Sequence, residues 1–250
     1  MQLPWLAPGD PLPDAATAWG ESDPVPGLLA AGGGLDVASL LQAYSHGIFP
    51  WFSEGQPILW WSPDPRMVLE TDRFHLHRSL RKALQRFAAA PDCEIRIDHG
   101  FEAVIRACAE APRVGQNGTW ILPEMVQAYT ALHLAGHAHS VETWIGGELT
   151  GGLYCVAVGR AVFGESMFAR RPDASKIALA ALVAFCRRHG IGMIDCQQNT
   201  SHLASLGARE MPRARFLSHV AGARQQGGPS WRFDPVYWSE LLSARSSRPT

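Results

Sequence analysis

HSVETWIGGELTGGLYCVAVGRAVFGESMF, residues 139–168, decides how this 250-residue chain folds. It divides into three blocks rich in β-branched, aromatic and aliphatic side chains, His139–Ile145, Leu149–Val158 and Ala161–Phe168. Gly146-Gly147 and Gly159-Arg160 part them, and both pairs are tight hairpin signals, so the spacing predicts an antiparallel meander. A helix from about Asp173 to His189 comes next, and its middle, Ile177 to Cys186, is apolar on nearly every side. Such a helix is buried against a sheet. Arg187, Arg188 and His189 suit the negative end of its dipole, and Gly190 its C′ position. Ile191–Gln197 then reads as a further strand.

Outward from this core, about 77–88, 100–111 and 123–135 read as helices, with Cys93–Ile97 as a strand between the first two. Pro123 suits the first turn of the third helix and Gly136 its end. Short helices are expected at 201–207 and 212–221. Nearer the N-terminus, Val37, Leu40, Leu41 and Tyr44 keep i, i+3, i+4, i+7 spacing behind Asp36 as N-cap. Ile58–Trp61 and Met67–Leu69 are short strands parted by the turn Ser62-Pro63-Asp64-Pro65, and residues 1–34, rich in Pro and Gly, read as irregular. The expectation is an α+β protein with a small N-terminal domain, 1–72, and a larger one, 73–250.

Composition narrows the function classes. Hydrophobic residues make up 46% and charged residues 18%, the balance of a soluble globular chain. No apolar run approaches the ~20 residues of a membrane span, and no membrane partner is expected. The start lacks the basic and apolar regions of a signal peptide, and five cysteines without a CxxC pair do not form a disulfide framework. The expected location is the cytoplasm. A formal net charge of −1 excludes a global basic field, so any nucleic-acid contact must be local.

Candidate chemistry lies on two strands. Alternation places Glu165 on one face with Phe163 and Met167, where it is either an edge residue reaching solvent or buried beside a cation or donor. Asp195 and Gln197 project together near the end of the Ile191–Gln197 strand, a place where open-sheet enzymes build sites, or else cap the following turn. His133, His137 and His139 have metal-like spacing, but Gly136 breaks the helix between them, so no metal site is expected. Ser166 lacks a nucleophile elbow, and the cysteines sit in apolar surroundings. Arg78, Lys82 and Arg86 recur at i, i+4, i+8, a cationic helical face that is either solvated or set against phosphates.

Together the segments are recognisable. Ala43-Tyr44-Ser45-His46-Gly47-Ile48-Phe49-Pro50-Trp51-Phe52, followed by Trp60-Trp61-Ser62-Pro63-Asp64-Pro65-Arg66, resembles the N-terminal signature of the bacterial leucyl/phenylalanyl-tRNA–protein transferases. Gly118-Thr119-Trp120-Ile121, Gly136–Glu142, Gly164–Phe168, Ile194–Gln197 and His202–Ala208 are similar to the same family in the same order, so the resemblance spans about Gly27 to Phe216.

The resemblance implies a GNAT-like acyltransferase core with a mixed, largely antiparallel sheet flanked by helices. It implies transfer of Leu or Phe, and Met less readily, from aminoacyl-tRNA to proteins with N-terminal Arg or Lys, creating a degradation signal. No cofactor is needed, because the ester is already activated. Asp195, with Gln197, is expected to position and help deprotonate the acceptor amine, and Glu165 to add a polar contact. Leu153, Met167, Leu182 and Ile194 are expected to line the donor pocket, with Trp51 and Trp120 flanking the terminal adenosine. Tyr44 and Tyr129 join the substrate-binding set, and Arg78, Lys82 and Arg86 would meet acceptor-stem phosphates. Cys155 stands where the family commonly has Gly and Leu153 where Met is frequent, so the pocket's ranking of donors stays open. The rivals are a CoA-dependent N-acyltransferase, which Arg170–Lys176 disfavours because it holds no glycine for a pyrophosphate, and a non-catalytic tRNA- or peptide-binding module.

Overall fold

Two sheets organise the chain in a computed structural model that describes residues 2–111 and 119–243. Gly118, at the head of one of the quoted motifs, and the last seven residues lie outside the described ones. In chain order the elements are β1 (Trp5–Leu6), β2 (Leu28–Gly32), α1 (Val37–Ser45), β3 (Phe49–Pro50), β4 (Leu59–Trp61), β5 (Arg66–Glu70) and α2 (Arg78–Ala89). Next come β6 (Cys93–Ile97), α3 (Phe101–Glu110), α4 (Pro123–Leu134), β7 (Ala138–Ile145), β8 (Glu148–Val158), β9 (Ala161–Ala169) and α5 (Ala174–Arg188). The chain closes with β10 (Met193–Gln197), α6 (Ser201–Ser205), β11 (Arg209–Met211), α7 (Arg213–Ala223) and α8 (Ser239–Leu242).

The small sheet has the order β1-β2-β4-β3 and the large one β11-β5-β10-β9-β8-β7-β6. In the large sheet only β9 and β10 pair in parallel, and the rest is antiparallel. The mixed α+β class is therefore as expected. Two details differ. Residues 28–32, expected to be irregular, form a strand of the small sheet, because burial of Leu28, Leu29, Ala30 and Ala31 outweighs the weak β propensity of alanine. Arg66–Glu70, assigned from sequence to the N-terminal part, lies in the large sheet between β10 and β11.

The hairpin glycines behave as their chemistry requires. Gly146 (φ +61°) and Gly147 (φ +77°) take the two positive-φ positions of the β7–β8 turn. Asp36 caps α1 by accepting from the Ser39 N–H at 3.0 Å. On one face of the large sheet pack α2, α5 and the chain's last described segment; every residue of α5 from Ile177 to Cys186 is buried there. At Gly151 the helix start comes so close that an added Cβ would sit 2.5 Å from the Ala174 Cβ. On the other face pack α1, α3, α4 and α7, in one continuous core with the small sheet. Among the described residues no helix is long and apolar enough to cross a membrane.

Candidate active site

The site forms where the parallel pair parts. β9 and β10 are in register only at Val162–Ile194 and Phe163–Asp195. Beyond these, each strand is irregular. In β9, Tyr154 of β8 pairs with Ser166 and Cys155 with Gly164, so Glu165 is an extra residue with no partner across the ladder. In β10 the ladder to β5 shifts between Asp195 and Gln197, and Gln197 takes φ +58°.

These bulges correct two expectations. Phe163 and Met167 do not share a face, since the extra residue inverts the alternation. Phe163 packs with Tyr44 and Phe216 on one side of the sheet, and Met167 packs on the α5 side. Asp195 and Gln197 likewise stop being equivalent side chains on one face. Asp195 turns inward and Gln197 spans the gap, its Nε2 donating to Glu165 Oε1 at 2.8 Å.

Asp195 is sealed. It is 1% exposed and Arg66 is 0% exposed. The Arg66 Nε donates to Oδ1 at 2.8 Å and Nη2 to Oδ2 at 2.6 Å, a two-pronged pairing. The guanidinium lies between the Phe49 and Phe216 rings, 4.7 and 4.5 Å from their centroids. The remaining acceptor capacity of Oδ1 takes the Gln197 backbone N–H at 2.9 Å, which holds Gln197 in its left-handed conformation. Arg66 carried no sequence signal as a site residue. An arginine after proline at a strand start reads as surface, and only its three-dimensional neighbours reveal the pair.

Glu165 sits differently. Half-buried, it faces two adjoining cavities, and its hydrogen-bond partners are neutral. Besides Gln197, the Tyr129 hydroxyl donates to Oε2 at 3.4 Å, and the Tyr44 and Tyr129 hydroxyls are hydrogen-bonded to each other. Burial pushes the Glu165 carboxyl up to about 8; the Tyr44 hydroxyl opposes this, the Asp195 charge adds to it, and Arg66 and Tyr129 oppose it. Tyr44 and Tyr129, which the resemblance placed in the substrate-binding set, are themselves fully buried and line neither cavity.

The larger cavity, of about 650 Å³, is walled by Leu153, Met167, Leu179, Leu182 and Ile194, with Glu165, Gln197, Thr200 and His202 at polar positions. All four expected pocket residues are there. Leu179, one helical turn from Leu182, joins them, and its i, i+3 spacing on α5 could have flagged it. A smaller cleft adjoins it, lined by Phe49, Pro50, Trp51 and Gln198, with Trp120, Glu165, Cys196, Gln197, Thr200 and Leu203 common to both. Burial, then the nearby Lys176 charge, lowers the His202 imidazole and favours its neutral form. Burial raises the Cys196 thiol well above its ordinary range, so it presents no thiolate.

Other sequence candidates lie elsewhere. His133 stacks on Phe101, and its Nδ1 is 2.8 Å from the Ala138 carbonyl; His139 stacks on Trp231, and its Nδ1 is 2.7 Å from Asp98 Oδ2. They do not converge with His137, and no group of three metal-ligating side chains occurs among the described residues. Arg78, Lys82 and Arg86 are exposed along α2 and, among the described residues, form no ion pair.

The family match and the curated relatives point the same way. The family described as Leucyl/phenylalanyl-tRNA protein transferase matches residues 68–221, and its N-terminal domain matches residues 33–64. A curated leucyl/phenylalanyl-tRNA–protein transferase of a Polaromonas strain is 65% identical over 99% of this chain and 96% of its own. That of Albidiferax ferrireducens is 61% identical over 98% and 96%, and that of Methylibium petroleiphilum 59% over 95% and 90%. Among solved structures, a crystal structure of FemX is similar over 70% of this chain and 66% of its own, with a TM-score of 0.45 and 11% identity.

Proposed function

The chain belongs to the leucyl/phenylalanyl-tRNA–protein transferase family, and on that premise we propose that it moves a leucyl or phenylalanyl group from tRNA to the α-amine of a protein N-terminus. The observation that carries this reading is the placing of Glu165 and Gln197 at the junction of an apolar cavity with an aromatic cleft. A flat adenine fits between Trp51 and Trp120, where stacking contributes roughly 1–3 kcal/mol. The Leu or Phe side chain then enters the cavity walled by Leu153, Met167, Leu179, Leu182 and Ile194, and its ester lies beside Glu165. Met is tolerated too, since one methylene in such a pocket discriminates by only about 1–3 kcal/mol.

The acceptor amine attacks the ester carbonyl carbon. The new C–N bond forms, the bond to the tRNA 3′-oxygen breaks, and the amine proton must reach that oxygen. Glu165 is suited to carry it, because a carboxyl at about 8 matches an α-amine of pKa about 8. Asp195, neutralised by Arg66, holds Gln197 in place, and Gln197 orients Glu165. Acceptors with N-terminal Arg or Lys, a GNAT-like core that takes in Arg66–Glu70 together with residues 73–250, a small N-terminal domain before it and a cytoplasmic setting complete the reading. The exposed α2 face of Arg78, Lys82 and Arg86 would take acceptor-stem phosphates.

The test is a transfer assay with labelled Phe-tRNA and a peptide beginning with Arg. A labelled peptide product supports the reading. Its absence, with intact tRNA ester and folded protein, overturns it.

A further inference from the structure

The mechanism leaves one buried pair unused. Tyr44 comes from α1, packed against the small sheet's side of the core, and Tyr129 from α4, more than eighty residues on; neither reaches a cavity. Two tyrosines are costly to bury unless each hydroxyl finds a partner. Here they find each other, and Tyr129 reaches Glu165 Oε2 at 3.4 Å.

We propose that Tyr44 and Tyr129 are positioning residues for the transfer, whose paired hydroxyls keep Glu165 available as an ionised proton acceptor. The inference rests on the transferase reading above. It follows from counting protons: each tyrosine hydroxyl has a single one to give. With Glu165 ionised, Gln197 donates to Oε1, Tyr129 to Oε2, and Tyr44 to Tyr129, so every proton in the line has an acceptor. With Glu165 protonated, its own O–H competes with these donors for the same lone pairs. The arrangement favours the charged form against the burial that disfavours it.

Other groups around Glu165 do not substitute for the pair. Asp195 from β10 is anionic and opposes ionisation, while Arg66 from β5 favours it but is tied to Asp195. Cys155 from β8 is held neutral by burial, and both tyrosines are raised well above 10, by burial first, so they remain hydroxyl donors across the working pH range. At the cavity itself Trp120, Ser166, Gln197 and Thr200 carry no charge, and burial pushes His202 toward its neutral form.

The experiment is the pH dependence of kcat and KM for Tyr129→Phe and Tyr44→Phe in the full chain, with Phe-tRNA and the Arg-initiated peptide. Both substitutions keep the ring and remove one hydroxyl, and thermal midpoints establish that each variant folds. The acid limb of kcat should move upward by about one pH unit, giving roughly tenfold slower transfer at pH 7 that recovers toward the wild-type rate near pH 9. KM for Phe-tRNA should stay within about twofold, because binding energy to the substrate is untouched. The acceptor amine titrates alike in all variants and cancels in the comparison. An equal loss at every pH, no loss, or a raised KM with unchanged kcat overturns the proposal. A wild-type protein that forms no labelled peptide marks failure of the transferase reading itself.

Discussion

Asp195 and Glu165 are carboxylates on adjacent strands, drawn into the same wall of the same site, yet their surroundings make them different chemical objects. Asp195 has a guanidinium, two charge-assisted hydrogen bonds and almost no exposure. Glu165 has an amide, a phenol and an opening to two cavities. A paired buried charge is fixed, since either partner alone would be left uncompensated. A carboxyl held by neutral donors keeps both protonation states within reach, and burial moves its titration to the range where amines exchange protons. In the mechanism proposed, the residue that looked the better base in the sequence serves as a strut, and the one that looked like a pocket edge carries the proton.

The comparison breaks most visibly at Glu165. Glu165→Gln keeps the hydrogen-bonding shape and removes the titratable proton, so transfer should fall about 10²- to 10⁴-fold, with Phe-tRNA binding retained. Its stability should also lose a pH dependence. The folded carboxyl titrates at about 8, far above the ~4.3 of an unfolded glutamate, so the folded state holds this proton more tightly. The stability so gained is complete below about pH 4 and is lost as pH rises through about 8. Denaturant unfolding should therefore show wild type losing ground to Glu165→Gln between pH 5 and 8. A constant difference across that window would mean that Glu165 does not titrate there.

Arg66→Met probes the other carboxylate. It strands Asp195 in the core, at a cost of about 3–5 kcal/mol in unfolding free energy. Adding Asp195→Leu removes the stranded charge and should restore much of that loss. Transfer should stay impaired in the double variant, because Gln197 no longer has Oδ1 to anchor its backbone. Restored activity alongside restored stability would show that the pair is only a core element, and the contrast with Glu165 would lose half its meaning.

These two residues also measure what the sequence could tell. The meander, its glycine turns and the buried α5 helix follow from local periodicity and turn chemistry, and all appear at nearly the expected residues. Leu153, Met167, Leu182 and Ile194 were picked out by the resemblance and their apolar character, and all four line the larger cavity. The bulges at Glu165 and Gln197 were not legible. Inserting one residue costs the ladder little but inverts which face a side chain takes, and period-two reasoning has no way to sense it. Arg66 and the tyrosine pair were hidden for another reason, since each depends on a contact between residues at least 85 apart in the chain.

Trp120 sharpens the comparison from the substrate's side. It lines both cavities with Glu165 but carries no charge, so its loss should change binding before chemistry. For Trp120→Ala we expect KM for Phe-tRNA to rise by a factor corresponding to about 1–3 kcal/mol, with kcat at saturation much less affected. A fall in kcat alone would place the indole with Glu165 in the chemical step.

The smallest effect belongs to the α2 face, where charge is neither buried nor paired. Arg78, Lys82 and Arg86 stand in water, so each contributes little to folding, and replacing one by Ala should change unfolding free energy by no more than about 0.5 kcal/mol. If they meet phosphates, their worth comes from counterions released on tRNA binding, a term that salt reveals. The slope of log KM for Phe-tRNA against log salt should fall by about 1 for Lys82→Ala, while KM for the peptide acceptor stays unchanged. A slope equal to wild type would leave α2 a solvated helix face. The same substitution at a charge like Arg66 would register in stability and hardly in salt dependence, because a buried pair is screened little by ions it never meets.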